Sequence, residues 1–394
     1  MVKYTASCHF KNVVIEPARG EKEKMPLGGP VWPTNTCHTF IRNLRNDKVA
    51  DVLAERSDAA PEVIDRPAVW CGYAVNHFGH FIAEHATRLL ASRTERPDDI
   101  YVFLAPPRMT RAGMPEWFWD VLDWFGMTRA QVKVVTTKPV ELRDLRVFPQ
   151  AEQLGLGPTM RYIKALTGYC TTRLPAPPAR LGSVYVSRAG MGSGKLGGED
   201  YLESALRAVG VTVIRPETMP LAEQLATYAA AECLIFAEGS ALHGRQLLGR
   251  LEQDVHVLTR RKGWYFGRPF LTPRTRALTH IDALHGSIHF SIDPTNGQPK
   301  RWQAFAYVDG ESLLSQLEGL GLPLRKVWDM AEFDKAQTND LNFWARTISN
   351  ASRPEDLEIR IRLLQGAFLA IGQEAQSRPL IDIARQIAAK QAGA

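Results

Sequence analysis

Short apolar runs of strand length alternate with stretches of helical periodicity through most of this chain, which is the rhythm of a parallel α/β protein. After Asn76 the apolar and aromatic positions Phe81, Ile82, His85, Leu89 and Leu90 recur at helical spacing. A strand over 100–105, a Pro-Pro turn, an aromatic helix over 115–125 and a strand over 131–136 are expected next. The rings of that helix, Trp117, Phe118, Trp119, Trp124 and Phe125, read as core. From residue 184 the alternation restarts, with strands predicted over 184–187, 211–214, 233–237 and 255–258 and helices over 200–208 and 221–231.

Between these stretches, Leu174-Pro175-Ala176-Pro177-Pro178 cannot continue a helix and reads as a linker. Ahead of them, residues 1–68 mix strand-like runs such as 12–15 with Pro and Gly and read as an irregular leading segment. Beyond residue 310 the pattern turns amphipathic and helical, notably over 356–371 and 380–389. The expectation is two α/β units, 1–174 and 179–310, facing each other across a cleft, followed by a helical extension over 311–394.

Composition changes this picture little. With 394 residues and 45% hydrophobic content, the chain is long for one core, which agrees with two units. Its 48 basic and 42 acidic residues leave a mild net charge of +6, suited to a partner bearing phosphate, an anionic membrane surface or an acidic glycan. No basic arm, zinc-finger spacing or RNA-binding aromatic signature occurs, so nucleic acid is not an expected partner. The five cysteines, Cys8, Cys37, Cys71, Cys170 and Cys233, are scattered without a CxxC pair, which points to a reducing cytoplasm. No apolar run reaches signal-peptide or membrane-span length; a soluble cytoplasmic protein, at most peripheral at the inner face of a membrane, is expected.

Candidate chemistry gathers at strand ends, where open α/β sheets bind ligands. Arg188 ends the strand run Tyr185-Val186-Ser187-Arg188, where a guanidinium fork suits a diphosphate; a surface salt bridge is the plainer alternative. Glu238-Gly239-Ser240-Ala241-Leu242-His243 follows the strand over 233–237. There Gly239, Ser240 and Ala241 let backbone amides at a helix start approach an anion, and His243 adds a side-chain donor. An ordinary cap with a buried histidine is the other reading. Glu217 and Glu238 are candidates for hydrogen bonds to the hydroxyls of a bound nucleotide. In Asn76-His77-Phe78-Gly79-His80-Phe81-Ile82-Ala83-Glu84-His85, His80 and Glu84 share one helical face. The carboxylate there would orient the imidazole as a general base, or act as the base itself. His77, His80, Glu84 and His85 are all metal-ligand types, but their spacing fits neither HExxH nor HxxEH; a structural histidine is the third option.

Gly192-Ser193-Gly194-Lys195-Leu196-Gly197 matches GxGxxG between a strand and a helix. Ser187-Arg188-Ala189-Gly190-Met191 intervenes, however, whereas a dinucleotide fingerprint needs its first glycine directly off the strand. A flexible loop able to act as a lid fits the same residues.

The order and spacing of these pieces resemble glycosyltransferase family 61, which includes bacterial capsular polysaccharide biosynthesis proteins. The resemblance runs from about Asn76 to about Leu248. It rests on His80-Phe81-Ile82-Ala83-Glu84, Tyr185-Val186-Ser187-Arg188, Glu199, Gly210, Pro216-Glu217, 221–224 and Gly239-Ser240-Ala241-Leu242. It departs where many members carry His-Gly-Ala-Ala-Leu-Thr-Asn against the Glu238 to Gly244 run here. The resemblance implies a GT-B-like architecture of two Rossmann-like domains, a nucleotide-sugar donor held mainly by the second, a glycan or lipid-linked acceptor, inversion at the anomeric carbon, and no obligatory metal or other cofactor. The rival expectations are an NAD-dependent oxidoreductase using the 192–197 loop and a non-catalytic nucleotide- or glycan-binding scaffold.

Overall fold

The computed structural model of the chain describes residues 6–22, 25–33, 38–174, 180–293 and 296–393. Cys37 and the linker read at 175–178 lie outside them. The described residues form a mixed α/β protein built on a seven-stranded and a five-stranded sheet.

In the first sheet, β1 (Cys8–Glu16), β2 (Gly29–Pro30), β3 (Glu62–Ile64), β4 (Ala68–Tyr73), β5 (Ile100–Leu104), β6 (Val132–Val135) and β7 (Val140–Val147) lie in the order β6-β5-β4-β7-β1-β2. Strand β3 pairs with the start of β7. Strands β4 to β7 run parallel, and β1 lies antiparallel along β7 from Cys8 opposite Val147 to Ile15 opposite Val140. The leading segment is therefore less irregular than the Pro and Gly content suggests. Val13, Val14, Ile15 and Glu16 are buried, and a buried stretch stays in place only if its backbone groups join a ladder.

The second sheet consists of β8 (Leu181–Val186), β9 (Thr212–Ile214), β10 (Ala231–Ala237), β11 (Asp254–Leu258) and β12 (Ala277–Ile281). All pairs are parallel and the order is β9-β8-β10-β11-β12. Chain progress reverses between β8 and β10, so the crevice for ligands opens at their carboxyl ends. In the first sheet the corresponding reversal falls between β4 and β7.

Successive residues of β10 point to opposite faces and so enter different cores. Leu234 and Phe236 join a core that runs from Val69 and Phe103 through Phe118 and Leu225 to Val257. It includes residues of both sheets, and the helices Glu116–Trp124 and Leu221–Ala230 pack together between them. Ile235 and Ala237 face a second core with Leu202, Leu206, Leu313 and Phe333.

The C-terminal region is helical as expected, with helices Gly310–Glu318, Met330–Asn350, Leu357–Ala370 and Ser377–Ala392. It also anchors the glycine-rich loop. Lys195 Nζ donates to the Ala189 carbonyl at 2.8 Å and pairs with Asp340 Oδ1 at 3.0 Å, and the Gly198 amide donates to Asp340 Oδ2 at 2.9 Å. A Cβ on Gly197 would sit 2.3 Å from Gln337 Oε1, and one on Gly198 2.5 Å from the Phe333 ring. Packing against helix Met330–Asn350 thus accounts for both glycines.

Candidate functional site

The two reversal points open on one cleft of about 600 Å³. His77, Phe78, Gly79 and His80 line it from the end of β4, while Ser187, Arg188, Gly239, Ser240, Ala241 and His243 line it from the ends of β8 and β10.

The first wall departs from a plain helix. One α-turn over Phe78–His80 gives way to a π-helical turn over Phe81–His85, a 3-10 turn over Ala86–Arg88 and an α-helix over Leu89–Glu95. In the π-turn the Ala86 amide reaches back to the Phe81 carbonyl, and Phe81, Ile82, Ala83, Glu84 and His85 are all buried. Such turns concentrate at functional sites because they redirect side chains. Here the wide turn buries Glu84 completely while His80, with 23% of its side chain exposed, stays at the cleft.

His80 Nδ1 and Glu84 Oε1 are 2.6 Å apart. Arg45 Nε donates to Glu84 Oε2 at 2.6 Å, Asn43 Nδ2 donates to the same oxygen at 3.2 Å, and Gln150 Nε2 donates to the Glu84 carbonyl at 2.8 Å. Burial by itself raises the Glu84 carboxyl, but the His80 hydrogen bond, His85 and Arg45 together hold it down to about 2. Glu84 is therefore an ionised partner for the imidazole, set behind it. His85 turns away from the cleft against Tyr73, with ring centroids 5.4 Å apart, and burial lowers its imidazole to about 3. Among the described residues, no three His, Cys, Asp or Glu side chains gather as a metal ion needs.

The second wall is cationic. Arg188 donates to the carbonyls of Gly194 and Ser193 at 3.1 Å each and to that of Glu238 at 3.4 Å. Burial lowers its guanidinium. Its backbone amide donates to Glu199 Oε1 at 2.8 Å, the same oxygen that accepts from Tyr185 and Ser187. A Cβ on Gly239 would lie 2.1 Å from Arg188 Nη1, so only glycine lets the guanidinium approach this strand end. The helix expected after Gly239 is a 3-10 segment over Ser240–Leu247. Within it His243 is buried; burial lowers its imidazole to about 4 and leaves it neutral. Its Nδ1 lies 2.5 Å from Gln246 Oε1, and its ring stacks on Phe270 at 4.9 Å. The walls meet there, because a Cβ on Gly79 would fall 2.6 Å from the His243 ring.

The two carboxylates assigned to donor contacts part company. Glu217 is exposed at the cleft rim. Glu238 is fully buried behind the wall, where its carboxylate accepts from the Arg260 amide at 2.8 Å and from the Arg261 guanidinium, and its carbonyl accepts from Arg260 Nε at 2.8 Å. Its carbonyl accepts from Arg188 and Arg260, its carboxylate pairs with Arg261, and the residue does not line the cleft.

Sequence reasoning missed Asn43, Arg45 and Gln150, which hold Glu84 from behind. One local signal was available. Asn46 and Asp47 both take positive φ, 48° and 58°, and turn a short hairpin joining Leu44–Arg45 to Lys48–Val49. Asn-Asp between short runs is a recognisable hairpin turn, though nothing local ties it to Glu84. Behind His243, Gln246 Nε2 donates to Glu152 Oε1 at 2.9 Å, and Arg274 Nη2 pairs with Glu152 Oε2 at 2.7 Å, a buried bridge between the walls.

A mixed seven-stranded sheet and a parallel five-stranded sheet thus share one cleft at their reversal points, where an imidazole–carboxylate pair faces a guanidinium cluster. The comparison with known families makes this specific: residues 78–245 match the family Glycosyltransferase 61, which indicates a glycosyltransferase. His80, Glu84, Arg188, Gly239 and His243 fall inside the match. Comparison with curated proteins finds no match.

Proposed function

We propose that the protein is an inverting glycosyltransferase of GT-B organisation, with an acceptor-side domain over 1–174, a donor-side domain over 179–310 and the helical extension over 311–394. The observation that carries this reading is the placement of His80 with Glu84 opposite Arg188 with Gly239 across one cleft. Glu84 holds Nδ1–H, which fixes the tautomer in which Nε2 accepts a proton. Nε2 removes the proton of an acceptor hydroxyl as its oxygen attacks the anomeric carbon of the donor sugar. The bond from that carbon to the diphosphate oxygen breaks on the opposite side, and its electron pair leaves with the nucleotide. Arg188 and the amides that open the Ser240–Leu247 turn offset the leaving charge, a preorganised stabilisation effective in a partly dry cleft. Ala241 and His243 shape the adjoining surface, and Glu217 at the rim contacts the donor sugar or ribose.

In this reading no metal or other cofactor is obligatory, and the donor enters as substrate. The acceptor is a glycan or lipid-linked saccharide of a bacterial surface polysaccharide such as a capsule, and the enzyme works in the cytoplasm at the inner face of the membrane. Among the described residues, no helix is long and apolar enough to cross a membrane.

Thermal unfolding with UDP, GDP, CMP and NAD, followed by a nucleotide-sugar panel, tests the reading. Ligands that bind only the native state raise its stability by mass action. A sugar nucleotide or its diphosphate should stabilise the protein and NAD should not. Stabilisation by NAD alone would replace transfer with redox chemistry, and a bound donor that is neither hydrolysed nor transferred would leave a binding scaffold.

A further inference from the structure

Beside the cleft lies a second cavity, of about 950 Å³, that the proposed transfer step does not use. Arg261 borders both spaces, and the neighbours Arg301 and Trp302 divide them, with Arg301 lining the second cavity and Trp302 the cleft. The second cavity therefore adjoins the first at Arg261.

Its lining has one sign of charge. Arg261, Lys262, Arg301 and Arg362 contribute to it, and no Asp or Glu does. Arg261 is compensated by Glu238. Among the described residues, no carboxylate pairs with Lys262, Arg301 or Arg362, each of which is exposed. Like charges gathered without counter-charges repel one another, and an anion placed among them relieves that repulsion. His289 adds a buried Nδ1 with no hydrogen-bond partner, and a buried polar atom left unpaired calls for a ligand or water. Burial, then the charge of Arg301, lowers this imidazole, which makes it a neutral group suited to hydroxyls. Leu363, Ala367 and Ile371 give an apolar floor, and Trp264 and Trp302 leave 51% and 54% of their surface exposed at the rim. Flat exposed rings beside polar groups suit an amphipathic partner.

We propose that this cavity binds an anionic stretch of the acceptor saccharide, one bearing carboxylate, phosphate or sulfate groups, and so sets the substrate class of the enzyme. The role as acceptor rests on the transfer reading; the binding of an acidic saccharide does not. A recessed space with cations on its walls and apolar side chains at its base fits a chain that enters it, whereas a bilayer surface meets protruding apolar residues.

The test titrates the full-length protein with pentagalacturonic acid and with neutral maltopentaose, in the wild type and in a Lys262→Gln/Arg301→Gln/Arg362→Gln variant, with UDP and GDP binding measured in parallel. The acidic pentamer should bind the wild type at least about tenfold more tightly than the neutral one. The variant should lose that preference, as should roughly 0.5 M salt, because exposed charges are screened. Nucleotide binding should not change. Equal affinity for the two pentamers, or an unaltered preference in the variant, overturns the proposal. So does recruitment to phosphatidylglycerol vesicles through the same three residues without saccharide preference, which would make the face a membrane contact. If no nucleotide binds but the acidic preference holds and depends on these residues, the cavity assignment stands while the transfer reading falls.

Discussion

The two walls of the cleft confront the same space with opposite solutions to burying charge. On the first, Glu84 is fully buried and ionised, matched by Arg45 and His80. On the second, Arg188 is held by the carbonyls of Ser193, Gly194 and Glu238, which offer dipoles but no full counter-charge. A matched carboxylate fixes the position and tautomer of a base and costs little at neutral pH. A cation whose hydrogen bonds all go to carbonyls, with Glu199 and Glu238 acting on it only through space, keeps its guanidinium unpaired for an arriving anion, and electrostatic attraction in a low-dielectric site is strong. The difference fits the proposed transfer step, in which one wall takes a proton and the other receives negative charge.

The sharpest way to separate the walls is to remove one group from each. His80→Ala should lower transfer by about 10²–10⁴-fold, the range for a lost general base, and leave donor binding intact. The measurements are kcat and the donor Kd; an unchanged kcat removes His80 from the chemistry. Arg188→Ala should cost about 10²–10³-fold and weaken donor binding as well. Gly239→Ala should move the same way without altering charge, since its methyl displaces Arg188 Nη1. Full turnover in both variants, at limiting and saturating donor, would sever Arg188 from the reaction.

Glu84→Gln sharpens the comparison through stability. Leaving Arg45 partly buried without its carboxylate should cost about 3 kcal/mol, read as a lower midpoint in denaturant. The wild type also carries a pH signature. The folded Glu84 carboxyl lies near 2 against an ordinary 4.5, so its contribution is fully present above about 4.5 and is lost as pH falls through 2. His243 and His85 are neutral when buried, at about 4 and about 3 against an ordinary 6.5. Below 6.5 the unfolded chain binds protons that the native one refuses, and stability begins to fall there. In Glu84→Gln the decline between 6.5 and 4.5 should remain and the steeper acid loss should flatten; an unaltered acid limb would mean that Glu84 carries no net ion pairing.

Two smaller effects address the glycine loop and the support behind Arg188. Gly197→Ala should destabilise by about 1–3 kcal/mol through its clash with Gln337, with no NAD response before or after the change. Glu199→Gln should be nearly neutral. Burial raises the Glu199 carboxyl, so its ionised form opposes folding above the ordinary carboxylate range, and an amide oxygen can still accept from Tyr185, Ser187 and the Arg188 amide. A loss above about 2 kcal/mol would show that the negative charge itself holds the loop.

Much of the architecture was legible because parallel strands and their helices carry local signals. The helix expected over 200–208 is Glu199–Ala208, and that over 221–231 is Leu221–Ala230. Strand Val140–Val147 went unread although its buried and exposed positions largely alternate, since its charged residues lie on the outward face. The helical spacing after Asn76 was real, but it could not reveal the π-turn, because the hydrogen bond from Ala86 to Phe81 is chosen by what packs around it. The GxGxxG match, set aside in sequence because residues 187–191 intervene, has a tertiary explanation. Its last glycine, Gly197, and the adjoining Gly198 answer to Gln337 and Phe333, some 140 residues later in the chain.

The amino-acid order by itself determined the strand-and-helix alternation, the positions of His80, Glu84, Arg188 and Gly239 at element ends, and the family signature, because each is written in spacing over a few residues. Only the tertiary structure decided that Arg45 stands behind Glu84, that Glu238 faces away from the cleft, and that both sheets open on one space. Those outcomes depend on contacts between residues far apart in the chain, where burial sets the cost of every unpaired charge and so selects which partner each polar group finds.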